Sequence, residues 1–380
     1  MTSAPRGARM LPALLLGVAV TACSRGAPVG AGDPQLRESW NAYVRRFIQA
    51  DGRVIDYRGG QISTSEGQAY AMLRAVWMGD RRTFDKALSW SRNNLQSGVR
   101  PDHLWSWKWG KAPDGSWRVL DAAFACDADQ DAALALLLAS KSWGEVPYLA
   151  DARRTLASLW QEGTVLVGGR RFLLGGDRLC GGGSCRLNPS YYAPYAYRIF
   201  ARHDPDHDWS QLVETSYFLL DANSGLTTTG LPSDWILFDR GTGALSLGSE
   251  KDSLYSYDAF RAHWRVAMDE ALFGEPRARR FLTRSLGWLA DRWRHEHKLP
   301  ALISARGEPR ADYESLEMLA GVMSALQIVA PDIAAEMSRR LESKYAQGVW
   351  GEPDTYYLQN WAWFGTALYR RHLGPFELVR

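Results

Sequence analysis

Ser63-Thr64-Ser65-Glu66-Gly67-Gln68-Ala69-Tyr70-Ala71-Met72 reads as the mouth of a helix: hydroxyls, a carboxylate and a glycine, then an apolar run. Ser63 to Glu66 and Ser65 to Gln68 both have capping-box spacing, in which a hydroxyl and an acid or amide three residues on satisfy free amides. The same residues fit a second use, because Gly67 leaves room for a bulky ligand such as a sugar ring beside Glu66. Outward from here the apolar residues keep a helical period over 35–49, 65–78, 83–94, 128–142, 147–160, 189–203, 208–221, 256–272, 275–294, 313–328, 331–345 and 355–371. Long loops rich in Gly, Trp, Asp and Pro separate some of them, at 96–125, 161–188 and 222–255. Short strands are expected there at Thr164 to Val167 and Trp235 to Asp239. Loops of that length in a compact domain are usually functional. Twelve helices with such loops match an all-α (α/α)6 barrel, although periodicity alone leaves an α-solenoid open. Residues 35–380 form one domain on this reading, with no repeat and no internal low-complexity linker.

With 45 basic and 42 acidic residues the chain is near neutral, and no basic run is interleaved with aromatics, which excludes nucleic acid as a partner. The excess is aromatic, 17 Trp and 16 Tyr, and flat rings with a polar handle suit both cores and the apolar faces of pyranoses.

Arg6 and Arg9 precede an apolar run, Met10 to Val20, that has the length of a signal-peptide core. The run ends in Val20-Thr21-Ala22-Cys23, which resembles a lipoprotein cleavage box. Residues 1–22 are then a signal peptide, Cys23 carries the lipid, and 23–34 are a flexible tether; a plain secretory signal is the alternative. Ser24 resembles an outer-membrane sorting residue, so the expected place is the periplasm, on the outer membrane, with membrane contact only through the lipid. Cys180 and Cys185 flank a Gly-Gly-Gly-Ser loop that a disulfide would pin, while Cys126 reads as a buried thiol. No His or Cys spacing resembles a metal site, and no metal or cofactor is expected.

Two further stretches carry carboxylates. In Ala125-Cys126-Asp127-Ala128-Asp129-Gln130-Asp131, Asp127 stands where a helix cap stands, and it shares a face with Asp131 while Asp129 points elsewhere. In Ser256-Tyr257-Asp258-Ala259-Phe260-Arg261, Asp258 and Arg261 are spaced for an ion pair, and a neighbouring guanidinium keeps a carboxylate ionised, as a general base requires.

The three stretches, in this order, resemble the motifs of family 8 glycoside hydrolases, particularly the bacterial endoglucanases that accompany cellulose synthesis. Cys126 and Ala132 depart from the family pattern without removing a carboxylate. The resemblance implies the barrel, an inverting mechanism, Glu66 as general acid, Asp258 as general base and Asp127 as the carboxylate that holds and distorts the sugar at the cleavage point. Asp129 and Asp131 are expected to be structural. Arg261 and Tyr257 would hold Asp258 and the attacking water. Trp105, Trp107 and Trp109, in Leu104-Trp105-Ser106-Trp107-Lys108-Trp109-Gly110, resemble the family's sugar-stacking loop. Asn188-Pro189-Ser190-Tyr191-Tyr192 resembles the family's Asn-Pro-Ser-Tyr segment, which implies that Asn188, Tyr191 and Tyr192 lie near substrate, and Tyr356 and Tyr357 resemble a closing Tyr-Tyr helix at the rim. Asp234 and Trp235 resemble a Pro-Asp-Trp segment with one extra residue after Pro232.

The implied function is an endo-β-1,4-glucanase that hydrolyses cellulose beside the cellulose synthase export machinery. A chitosanase or xylan-directed enzyme is the rival within the family. A non-catalytic polysaccharide-binding or export protein is the rival outside it, and the retained Glu66 and Asp258 speak against that one.

Overall fold

The computed structural model describes residues 1–2 and 32–373. Cys23, the expected signal peptide and most of the expected tether lie outside the described residues. Among those described are the helices α1 (Pro34–Phe47), α2 (Ser65–Met78), α3 (Arg81–Ser91), α4 (Cys126–Trp143), α5 (Val146–Glu162), α6 (Pro194–His203), α7 (Ser210–Gly225), α8 (Phe260–Phe273), α9 (Pro276–Ser285), α10 (Gly287–Glu296), α11 (Leu316–Val329), α12 (Pro331–Glu342) and α13 (Tyr356–Tyr369). Asp33 caps α1 by accepting the amides of Gln35 and Leu36.

Burial sorts the helices into two rings. Helices α2, α4, α8, α11 and α13 are buried over most of their circumference, the pattern of helices surrounded by protein. Helix α12 buries only Ile333, Ala334, Met337 and Leu341, a single stripe. The inner helices pack in the closed order α2, α4, α6, α8, α11, α13 and back to α2, and α3, α5, α7, α9, α12 and α1 back them from outside. This is the (α/α)6 barrel, with α10 as a thirteenth helix lying against α9 and α12.

Aromatic rings, tryptophan above all, pack along the inner helices. Trp264 meets Trp361 edge-on at 5.6 Å, Trp77 stacks on Trp363 at 6.0 Å, and Tyr70 touches both Trp361 and Phe364. Ten of the 17 Trp are buried, so the aromatic excess belongs mostly to the core. Gly365 lets α13 press against α11, where a Cβ would sit 2.3 Å from the Ala320 carbonyl oxygen. Backbone cannot step aside as a side chain can. Gly365→Ala is therefore expected to cost about 2–4 kcal/mol despite the better helix propensity of alanine. Urea unfolding checks this, and an unchanged midpoint would contradict the close approach.

The expected elements differ from the observed ones where a local feature intervenes. The segment 189–203 opens as a 3₁₀ turn (Pro189–Tyr191) and restarts at Pro194, since a proline disfavours helix in the residue before it. The segment 275–294 is cut at Leu286 into α9 and α10. The strands are β1 (Ser63–Thr64), β2 (Lys108–Lys111), β3 (Trp117–Asp121), β4 (Thr164–Val167), β5 (Arg170–Leu173), β6 (Cys180–Gly181), β7 (Ser184–Leu187), β8 (Ile236–Asp239), β9 (Leu245–Leu247), β10 (Tyr345–Ala346) and β11 (Val349–Trp350). The sheets β1-β2-β3 and β6-β7-β8-β9 pair antiparallel, and all their strands except β1, which directly precedes α2, come from the long loops. A disulfide joins Cys180 to Cys185 across β6 and β7, and Cys126 is a buried thiol.

Candidate active site

Thr64, not Ser63 or Ser65, caps α2: its hydroxyl accepts the Gly67 amide at 3.0 Å. Neither expected capping box forms. Ser63 accepts from Arg53 instead, and the Gln68 side chain is spent on buried groups of Val54, Gly52, Ala87 and Ser91. A Cβ at Gly67 would meet the Thr64 hydroxyl at 3.3 Å and the Tyr356 ring at 3.4 Å, so the glycine sits closely packed beside the residues that flank Glu66. Relieved of capping, the Glu66 carboxyl turns inward. Tyr356 donates to its Oε1 at 2.9 Å, and Tyr70 and Arg261 Nη1 reach its Oε2 at 3.3 and 3.0 Å.

Arg261 organises the centre. Its guanidinium is 1% exposed and contacts three carboxylates at once: Nη1 donates to Glu66 and, at 3.0 Å, to Asp127, while Nη2 donates to Asp258. Tyr191 closes the site with its ring 5.3 Å from the guanidinium carbon. One buried cation cannot neutralise three anions in a low dielectric, so a proton must reside on the group where it costs least. Burial pushes Glu66 up to about 7, against the pull of Arg261 and with the push of Asp127. Burial likewise raises Asp127, again opposed by Arg261.

Asp258 lies in the turn before α8 and is the more open carboxylate, with a third of its side chain exposed. Its Oδ2 accepts the Trp235 indole N–H at 3.1 Å. Asp234, expected to touch substrate, lies beneath that turn and accepts the amides of Ser256, Asp258 and Ala259 together with the Ser256 hydroxyl. Burial and the charge of Asp258 push Asp234 up to about 7. It is a positioning residue, and the extra residue after Pro232 does not disturb it.

Of the other expected residues, Tyr357 donates to the Tyr257 carbonyl at 2.6 Å, and Tyr257 is exposed beside Asp258. Trp107 is half-buried, with its backbone tied to Ser65 and Ala123. Three of the expected substrate contacts, Trp105, Tyr192 and Asn188, are buried, and Trp109 is half-buried. Trp105 is buried in the core, with its amide on Asp129. Trp109 packs among Trp90, Trp117 and Arg53. Tyr192 is fully buried with its hydroxyl on the Leu173 carbonyl, and Asn188 caps the 3₁₀ turn through Ser190. Asp129 and Asp131 are structural as expected, the latter in a two-pronged pair with Arg265, both bonds 2.9 Å, that ties α4 to α8. Tyr70 was missed, although it stands four residues after Glu66 on the same helix face.

A sequence model described as glycosyl hydrolases family 8 matches residues 11–288. A curated endoglucanase of Xanthomonas axonopodis pv. citri is 37% identical over 274 residues, 70% of this chain and 68% of that protein. Other curated endoglucanases are matched over a little under two thirds of their own length. Among solved structures, an endo-1,4-D-glucanase from Vibrio fischeri superposes with a TM-score of 0.77 at 26% identity, covering 87% of this chain and 94% of that one. The endo-β-1,4-glucanase CMCax from Acetobacter xylinum does so with a TM-score of 0.71 at 25% identity, covering 89% and 99%. A six-plus-six helical barrel, the motif carboxylates gathered on one arginine and a family match over most of the sequence have one reading in common: the chain belongs to glycoside hydrolase family 8.

Proposed function

We propose that the chain is an endo-β-1,4-glucanase that cleaves cellulose by single displacement, with Glu66 as acid and Asp258 as base. The observation that carries the reading is the division of labour around Arg261, where Glu66, held by the Tyr356 and Tyr70 phenols, is pushed up to about 7 and Asp258 is the more exposed carboxylate. In the reaction Asp258 takes a proton from water as the water oxygen attacks C1 from the face opposite the leaving group. The C1–O bond breaks, and Glu66 gives its proton to the departing oxygen. Two carboxyls held by one guanidinium are compatible with the roughly 6.5–9.5 Å that leaves room for water in an inverting site. Asp127, fixed between them by Arg261, is suited to grip a hydroxyl of the distorted sugar.

Product anomers followed by NMR during digestion of cellopentaose test the mechanism. The α-anomer is expected first, and a β-anomer appearing first would overturn single displacement. The same assay run across pH carries a second expectation. Glu66 acts only while protonated, so kcat/KM falls as pH rises through about 7. A plateau extending to pH 9 would remove Glu66 from the acid role.

The place of action is part of the proposal. A lipid on Cys23 would hold the enzyme at the periplasmic face of the outer membrane, where it would trim nascent cellulose near the export machinery. The motif at 20–23 supports the lipid. Cells fed labelled palmitate should label the native protein and not Cys23→Ala, and equal labelling of the variant would count against the anchor.

A further inference from the structure

The wall of the site on the Asp258 side includes a residue that no motif marks. Tyr257, immediately before Asp258, is 37% exposed, and Tyr357 donating to its carbonyl fixes its backbone. Its phenol lies beside that of Tyr313, which is 51% exposed. Tyr313 comes from the connection between α10 and α11, beyond residues 11–288 where the family model matches. It is not a loose side chain on a loose loop. Its carbonyl accepts the Ala301 amide at 2.8 Å, Ile303 in the same connection exchanges both backbone bonds with Tyr255, and Ser315 caps α11 just after it. The connection is thus clamped to the segment that carries the base.

A phenol pair held this way keeps a wide apolar face in water, next to a carboxylate proposed to work on a sugar. Burying such a ring in the core, as this fold does with Tyr70 and Tyr192, would stabilise the chain more than leaving it exposed. Tyrosine also matches the ligand, since its face stacks on the C–H side of a pyranose while its hydroxyl reaches the sugar's own hydroxyls.

We propose that Tyr313 is a substrate-positioning residue of the cleft, forming with Tyr257 a phenolic wall that receives a glucosyl unit beyond the cleavage point on the Asp258 side. The inference rests on the glucanase reading and adds a residue and a place to it. A wall that grips one glucosyl unit beyond the cleavage point favours substrates long enough to reach it.

The test uses cellotriose to cellohexaose and the full chain. Tyr313→Ala should lower kcat/KM about tenfold for oligomers long enough to reach the wall and leave the shortest cleaved oligomer unchanged. Tyr313→Phe, which keeps the ring, should recover most of the loss. Equal kcat/KM at every length, or a uniform loss at every length accompanied by a lower melting temperature, would overturn the proposal. Calorimetric affinity for cellohexaose, measured in Glu66→Gln with and without Tyr313→Ala, separates the two layers. If the native enzyme cleaves no cello-oligosaccharide yet the Ala variant binds about tenfold more weakly, the glucanase reading fails and the wall stands. If cleavage is robust and the affinities are equal, the wall fails alone.

Discussion

Glu66→Gln lowers kcat on soluble cellulose by about a thousandfold while the affinity for cello-oligosaccharides stays within a few-fold of the native value. The amide keeps the size and the hydrogen-bonding reach of the carboxyl. Its oxygen can accept from Arg261 while its NH₂ donates to the Tyr356 oxygen, so the site's geometry survives and only the transferable proton is lost. A substrate that needs no proton on its leaving group isolates the effect: a dinitrophenyl cello-oligosaccharide should be cleaved by the variant at a rate near that of the native enzyme. Equal losses on both substrates would point to damaged binding and not to a missing acid.

The same variant carries a stability signature. The ordinary Glu value is 4.5 and the folded-state value of Glu66 is about 7, so the folded chain retains a proton that the unfolded chain gives up across that interval. The contribution of this carboxyl to stability is fully present below pH 4.5 and is lost as pH rises through 7. Glu66→Gln should therefore match the native protein in stability at pH 4 and exceed it at pH 8, by an amount on the order of 3 kcal/mol. A gap that closes toward high pH would contradict the burial argument.

Much of this was legible in the sequence because helices surrounded by protein are apolar all round, as in α2, whereas outer ones such as α12 carry one stripe. Twelve of those patterns are the barrel. The break at Leu286 escaped because the apolar period runs through it unbroken, and what marks it is the buried chain Tyr255–His263–Ser285, with both imidazole bonds at 2.9 Å. The three motif acids were legible as types at fixed spacings. Their meeting on Arg261 was not, since Glu66, Asp127 and Asp258 come from three inner helices or the turns before them. The indoles were the least legible. Trp105, Trp107 and Trp109 alternate in the sequence as if on one face, but only the last lies in β2, and the register shifts between Lys108 and Trp109. Two of the three rings are thereby sent into packing. Tyr192 fared the same way, because it follows the 3₁₀ turn in extended backbone and its hydroxyl donates to the buried Leu173 carbonyl.

Arg261→Met should abolish turnover and destabilise the fold by about 3–5 kcal/mol at pH 8, the cost of leaving buried charge without its partner. Methionine nearly fills the space of the arginine stem, so the loss comes from charge and not from a cavity. Three carboxylates would then face one another across the site, and the cheapest response is for them to take up protons. The destabilisation must accordingly shrink as pH falls toward 4, where protons replace the guanidinium, and urea midpoints measured at pH 4, 6 and 8 read this directly. Arg261→Lys separates the two functions of the residue. An ammonium restores the charge, so most of the stability at pH 8 should return, but a point charge cannot address Glu66, Asp127 and Asp258 from the two ends of a fork. Turnover of the Lys variant should remain about a hundredfold down, because a carboxylate moved by an ångström no longer meets the water and the leaving oxygen together. A Lys variant with native activity would mean that charge alone suffices at this position, and a Met variant equally unstable at every pH would mean that the three acids do not share one counter-ion.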